Sequence, residues 1–245
     1  MLPPRLPPRL PPLPPLPVRV RDLALLLVLV VVSVLAGPLV IALFWPDVSL
    51  SGLLPIAGFL VAQSLLMLAF TWLAVLRPHR LRLADIGLRP TYSAWYRLAV
   101  AAGLICLPLV AGVNYAVQAL IGTPIDNPQL RALAPEGFSW ASLVVMLLLV
   151  GVLVPFIEEV IFRGLVFGWL RKHLRFLFAA PLSAVFFSIA HGLPELMPAL
   201  AVMGLVLAAI AERSGSLWPA IIVHGTFNSL MTISLYTALA AGAGF

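Results

Sequence analysis

Charge is what this chain has least of. Only 10% of its 245 residues are charged, whereas 62% are hydrophobic and the mean hydropathy is +1.10. Soluble globular domains are about one-quarter charged and about one-half apolar. A chain with so few charged groups cannot cover its surface with polar side chains, so it must place most of that surface in lipid. The composition excludes a soluble domain and predicts an all-α, polytopic transmembrane helical bundle.

Cysteine is also scarce, and the basic residues do not follow a nucleic-acid pattern. The single cysteine, Cys106, lies in an apolar run, which excludes a disulfide framework. The net charge is +6, but most of the arginines fall in three groups, at 5–21, 77–97 and 171–175. Each group flanks an apolar run and none alternates with aromatic residues, as a single-strand binding surface would. The arginines are therefore interpreted as charges that set membrane topology, and no nucleic-acid partner is predicted.

Long apolar segments predict about seven membrane spans, with six to eight as the range. They cover approximately residues 23–45, 53–76, 98–121, 139–170, 174–191, 196–211 and 217–239. The fourth segment keeps a helical pattern for about 32 residues, or roughly 48 Å at 1.5 Å per residue. It must therefore tilt, kink at Pro155 or continue along the membrane surface.

The chain divides into three parts by composition. Residues 1–22 form a tail rich in proline and arginine, which predicts extended polyproline II or disordered chain in solvent, with no partner identified. Residues 23–138 form the N-terminal helices with the basic loop 77–97, and residues 139–240 form the core that carries the polar motifs. The loop at 123–138, which contains Asp126 and Glu136, lacks the arginine excess. The positive-inside rule then predicts a cytoplasmic N-terminus and a cytoplasmic 77–97 loop.

Three polar motifs interrupt the apolar sequence of the core. They are Glu158-Glu159-Val-Ile-Phe-Arg163, Phe187-Ser-Ile-Ala-His191 and His224-Gly-Thr-Phe-Asn228. An ionised side chain at the centre of a span costs about 2.5–3.5 kcal/mol on insertion scales, so these residues need a partner or a function. Glu159 and Arg163 are four residues apart and can pair on one helix face, while Glu158 points about 100° away.

These side chains are suited to amide hydrolysis inside a membrane. A carboxylate and a histidine in a dry cavity can polarise water and transfer its proton. A histidine and an asparagine can donate hydrogen bonds to the oxyanion that forms on the attacked carbonyl. Zinc held by Glu158, His191 and His224 is the alternative, and the spacing alone leaves it open.

The motifs EExxxR, FxxxH and HxxxN, in that order and in apolar segments, resemble those of the CPBP family of intramembrane proteases, which includes the CAAX prenyl endopeptidases. The resemblance covers about residues 145–235. It implies that Glu158 is the general base, with His191 as its partner, and that His224 and Asn228 form the oxyanion site.

The same resemblance implies that Glu159 and Arg163 support the first catalytic helix. It favours a glutamate-type mechanism without a cofactor over a zinc-dependent one. The arginine-rich, lysine-poor composition favours a GC-rich bacterial source and so the bacterial inner (plasma) membrane.

The sequence therefore predicts an intramembrane endopeptidase. Its expected partners are membrane lipid and a membrane-associated or lipid-anchored substrate, because helical rise puts the catalytic residues roughly 10–22 Å below the surface. Two other classes stay open. One is a non-catalytic membrane scaffold or bacteriocin-immunity-type protein. The other is a transporter, although the inverted repeats or paired broken helices typical of transporters are not found.

Overall fold

The protein is all-α, as the composition predicts. A computed structural model describes residues 6–11, 13, 15–44, 52–125, 127, 133–134 and 137–242, without the side chains of 35–44. These residues contain no strand and form seven helices: α1 Val20–Phe44, α2 Leu53–Leu76, α3 Ser93–Ile121, α4 Trp140–His173, α5 Phe176–Ile189, α6 Met197–Ser214 and α7 Leu217–Ala240. Both acidic residues of the predicted 123–138 loop, Asp126 and Glu136, lie outside the described residues, as do residues 1–5, 12 and 14 of the tail.

The helices form a membrane bundle. Among the described residues, α2, α3, α4 and the segment Pro194–Ser214 are long and apolar enough to cross a bilayer by length and composition. The chain is an integral membrane protein. α5 has only 14 residues, which extend about 21 Å. α7 has 24 residues but is not among the four, because polar side chains such as His224 and Asn228 interrupt its middle.

The three basic groups lie together at one end of the bundle, here called the basic end, which comprises residues 6–19, 77–97 and 171–175. Lys172 Nζ donates to the carbonyl of Leu16 at 3.2 Å, which joins the end of α4 to the N-terminal segment. Arg89 donates to the carbonyls of Pro11 and Gly215, which joins the loop before α3 to the end of α6. The arginines therefore collect on one side, as topology-setting charges do.

The described part of the predicted tail is exposed at most of its residues but contacts the bundle. Residues 6–11, 13 and 15–19 have no regular secondary structure, lie against the rest of the basic end and are here called the N-terminal strap. Leu10, Leu13 and Leu16 are three residues apart, the spacing that a polyproline II helix would place on one face. Each contacts a glycine: a Cβ at Gly215, Gly87 or Gly168 would lie 3.0–3.2 Å from the corresponding leucine. The leucine periodicity thus anchors the strap.

Hydrogen bonds to strap carbonyls complete this attachment. Trp95 Nε1 donates to the Pro8 carbonyl at 2.8 Å, and Trp169 Nε1 donates to the Val18 carbonyl at 3.2 Å. A polyproline II segment makes no internal hydrogen bonds, so its carbonyls are available as acceptors. The strap is therefore held by hydrogen bonds that side chains of the bundle donate to its backbone carbonyls.

The long fourth helix is continuous and contains two wider segments. α4 has 34 residues, or about 51 Å, and stays helical through Pro155. Its π-helical segments, in which N–H groups bond carbonyls five residues back, are Leu149–Leu153 and Val160–Phe167. They lie on either side of the Glu158–Glu159 pair, and the last turn of α4 reaches the basic end.

Candidate active site

A buried ion pair lies at the centre of the site. Arg163 Nη1 is 3.0 Å from Glu159 Oε1, and both side chains have 0% exposure. The pair that the i, i+4 spacing predicts is therefore present. His224 Nδ1 also lies 3.0 Å from the same Glu159 oxygen, a contact that the sequence did not predict. Glu159 thus connects α4 to α7.

Arg163 is also held by two other helices. Its Nη2 donates to the carbonyl of Gly204 on α6 at 3.3 Å. Its guanidinium carbon lies 4.3 Å from the centre of the Phe187 ring on α5, a cation–π contact. One buried arginine therefore fixes the relative positions of α4, α5 and α6.

The neighbouring carboxylate, Glu158, has different surroundings. Its Oε2 lies 3.7 Å from His224 Nε2, beyond direct hydrogen-bond distance, and its side chain is 21% exposed. Glu159 is thus committed to structural contacts, whereas Glu158 is accessible and faces the other side of the same imidazole.

His191 lies at the end of the short helix α5. Its Nδ1 is 2.8 Å from the Phe187 carbonyl oxygen, and since a carbonyl can only accept, Nδ1 is the donor. In the neutral imidazole, Nε2 is then the proton acceptor. The centre of the Phe187 ring lies 4.7 Å from the centre of the His191 ring and 5.7 Å from that of the His224 ring. Phe187 therefore packs between the two histidines and links His191 to the cluster.

The Asn228 amide points at the fourth helix. Its Nδ2 donates to the Val150 carbonyl at 3.1 Å, within the first π-helical segment. His224 lies one turn earlier on the same face of α7, as the spacing of four predicts. All six predicted residues thus lie on α4, on α7 or at the end of α5.

Helices α4 and α7 bring two of the predicted residues close together. From a common surface, helical rise puts Glu158 roughly 18 Å deep and His224 roughly 10 Å deep. Long side chains can span such a difference, and these two approach to 3.7 Å.

The residues of the zinc alternative do not form a metal site in the structure. Within the described ranges, no three His, Cys, Asp or Glu side chains are grouped closely enough to hold a metal ion. Glu158, His191 and His224 are therefore not arranged as a ligand set. His224 Nδ1 is already bonded to Glu159, and no reaction step is assigned to zinc.

Three glycines, of which only Gly225 lies within a motif, determine how closely the helices pack. A Cβ at Gly225 on α7 would lie 2.5 Å from the Gly151 carbonyl on α4, and one at Gly204 on α6 would lie 2.9 Å from Ala184. Small residues allow membrane helices to approach in this way. Isolated glycines inside apolar helices were the sequence signal for these contacts.

A cavity of about 230 Å³ lies between this site and the basic end. α4 lines it with Arg163 and Gly164, and the N-terminal strap lines it with Leu13 and Leu16. The strap therefore forms one wall of the space that leads to the buried ion pair.

The comparisons with known proteins match this part of the chain. Residues 140–230, which run from α4 to α7 and hold all six predicted site residues, match the family model described as "Type II CAAX prenyl endopeptidase Rce1-like". This region is therefore similar to the family that its three motifs resemble. A Bacillus subtilis (strain 168) relative named "Putative membrane peptidase YdiL" is 31% identical over 88 residues. That match covers 36% of this chain and 36% of the relative. No solved structure matches. The matched region is therefore the part of the chain that forms the site, and α1 to α3 lie outside the match.

Proposed function

We propose that this protein is an intramembrane endopeptidase that hydrolyses a peptide bond of a membrane-associated or lipid-anchored substrate. The observation that carries the proposal is the contrast between two adjacent carboxylates. Glu159 is fully buried and bonded, whereas Glu158 is 21% exposed and faces His224 Nε2 across 3.7 Å. An accessible carboxylate beside a histidine is an arrangement suited to activating water. The CPBP match of the same region supports it.

In the proposed reaction Glu158 is the general base. It takes a proton from a water as that water attacks the substrate carbonyl, and it returns the proton to the leaving amine. The Nε2 atom of His191, an acceptor while Nδ1 donates to the Phe187 carbonyl, orients the water. General bases of this kind accelerate reactions by about 10²–10⁴-fold.

His224 and Asn228 stabilise the oxyanion in this mechanism. Since Glu159 accepts from His224 Nδ1, the Nε2 atom carries a proton only in the imidazolium form. Nε2–H and one amide N–H of Asn228 then donate to the developing charge.

The substrate class follows from the location of the site. The predicted residues lie on helices of a membrane bundle, so a folded soluble chain would have to unfold to reach them. We propose that the protein lies in a bacterial inner membrane with its basic end in the cytoplasm. The concentration of arginine and lysine at that end supports this orientation.

Replacing Glu158 by Gln tests the mechanism. The change keeps the size of the side chain but removes the base, so turnover is expected to fall by about 10²–10⁴-fold. Asn228→Ala is expected to lower it by about 10²–10³-fold, as the loss of one oxyanion donor does. The readout is a proteomic comparison of peptide ends in membranes that carry wild type or variant. Glu195→Gln, which alters an exposed carboxylate in the turn before α6, is the matched control. Full activity of well-folded Glu158→Gln would falsify the mechanism in which Glu158 is the general base.

Metal removal separates the glutamate mechanism from the zinc mechanism. The purified protein is expected to keep its activity after treatment with a strong chelator, because the proposed base and its partners need no ion. Loss of activity that added zinc restores would keep the peptidase and make His191 and His224 metal ligands.

A further inference from the structure

Pro155 interrupts the hydrogen-bond ladder of α4 next to the site. In the π-helical segment before it, the Val154 N–H bonds to the Leu149 carbonyl, five residues back. The next bond in that register would join residue 155 to the Val150 carbonyl. Proline has no N–H, so the Val150 carbonyl has no backbone donor in this register.

The free carbonyl is the one that Asn228 binds. Asn228 Nδ2 donates to the Val150 oxygen at 3.1 Å, across the contact between α7 and α4. The two helices come close enough because both have glycine at the contact: a Cβ at Gly225 would lie 2.5 Å from the Gly151 carbonyl oxygen, and one at Gly151 would lie 2.4 Å from Ser229 Oγ. A proline in one helix thus supplies the acceptor for an amide in another.

We propose that Pro155 is a positioning residue for Asn228. By leaving the Val150 carbonyl free, it fixes one amide N–H of Asn228 against α4 and so sets the direction of the second. This inference rests on the proposed function, in which that second N–H donates to the oxyanion. Pro155 does not touch the substrate and acts only through the amide.

An N–H restored at position 155 would compete for the same carbonyl. A hydrogen bond of this kind contributes a modest net free energy, so losing it is expected to reduce the aligned amide population about three- to tenfold. An amide that is misaligned part of the time lowers the rate of the chemical step. It leaves substrate binding unchanged, because the oxyanion exists only in the transition state.

The test is a double-mutant cycle of Pro155→Ala and Asn228→Ala, with kcat and KM measured separately. Pro155→Ala is expected to lower kcat about three- to tenfold with KM unchanged, and to have no further effect when Asn228 is already alanine. Pro108→Ala is the matched control. It also lies inside an apolar helix, α3, and no side chain of the described residues donates to the Leu104 carbonyl one turn before it. An unchanged kcat in Pro155→Ala, or effects that multiply in the double variant, would overturn the proposal.

A second readout does not depend on turnover. The hydrogens of the Asn228 side-chain amide can be followed in ¹⁵N NMR spectra of detergent-solubilised protein. Their exchange with water is expected to be slow in wild type and in Pro108→Ala, and faster in Pro155→Ala. Equal exchange in all three proteins would refute the positioning role. If proteolysis proceeds fully without Glu158, the proposed function fails. The NMR comparison still decides whether Pro155 orients Asn228.

Discussion

Adjacent residues on a helix point about 100° apart, and Glu158 and Glu159 use this difference. One carboxylate enters the bundle and joins Arg163 and His224, and the other faces the more open side of the same imidazole. Two carboxylates that are adjacent in the sequence thereby acquire different surroundings. The structural glutamate holds the histidine that the accessible glutamate faces.

Replacing Arg163 by Ala is expected to lower the yield of folded protein rather than turnover alone. It leaves Glu159 charged and buried with one partner fewer, and breaking a buried pair in this way costs about 3–5 kcal/mol. Thermal unfolding and size-exclusion profiles in detergent measure the effect. Arg82→Ala, which removes an exposed ion pair with Asp85, should leave both measurements nearly unchanged. A wild-type unfolding midpoint for Arg163→Ala would contradict this interpretation.

At this scale the sequence predicts contacts within a helix better than contacts between helices. The Glu159–Arg163 pair follows from a spacing of four, and the structure confirms it. The bond from His224 to Glu159 depends on how α4 and α7 are rotated relative to each other. Two π-helical segments in α4 change that rotation, and no local pattern in the sequence reveals them.

Among the elements, the N-terminal strap is one whose conformation the sequence predicts better than its contacts. Its prolines predict an extended chain, and its described residues form neither helix nor strand. Their docking could not be predicted, because the glycines that accept the leucines are distant in sequence. The regular spacing of Leu10, Leu13 and Leu16 was the available signal, since it matches the period of polyproline II.

Truncation of one strap leucine tests whether the strap stabilises the bundle. Leu16 is 5% exposed, whereas Leu6 in the same segment is 58% exposed. Leu16→Ala is expected to destabilise the protein by about 2–5 kcal/mol, as other buried leucine truncations do. Leu6→Ala serves as the control and should have little effect. Equal thermal midpoints for the two variants would show that the strap is not part of the folded core.

The helix α5 is shorter than the apolar segment that predicts it. The apolar segment at 174–191 predicts a span, but the helix has 14 residues, or about 21 Å, against a bilayer core of about 30 Å. The chain then leaves helical geometry at His191 and Gly192, where φ is +69° for the glycine. Irregular backbone inside a membrane protein is tolerated where protein surrounds it or a cavity is present. A short helix therefore ends at a position where a histidine can join the site.

For the whole molecule, composition was sufficient for the fold class and not for the arrangement of helices. Few charges and long apolar runs predict an all-α membrane bundle, and seven helices are present among the described residues. The arginine groups predict one shared side, and they meet at the basic end. The packing of seven similar apolar helices depends on glycines, caps and buried polar groups that hydropathy does not register.

The orientation of the molecule can be tested with single thiols. In a Cys106→Ala background, a cysteine at Asp85 is expected to stay unlabelled by an impermeant reagent in intact cells and to react after permeabilisation. A cysteine at Thr123, beyond the opposite end of α3, should be labelled from outside and serves as the control. Labelling of position 85 in intact cells would invert the proposed topology.

The location of the strap imposes an order on the synthesis and assembly of the protein. The leucines at 10, 13 and 16 are translated before every glycine that receives them, and the last of these, Gly215, follows Leu10 by about 200 residues. At about 5–20 residues per second, the ribosome needs roughly 10–40 s to cover that distance. During this interval the contact for Leu10 is missing, and six helices must first be inserted. The strap is therefore fully attached only late in assembly.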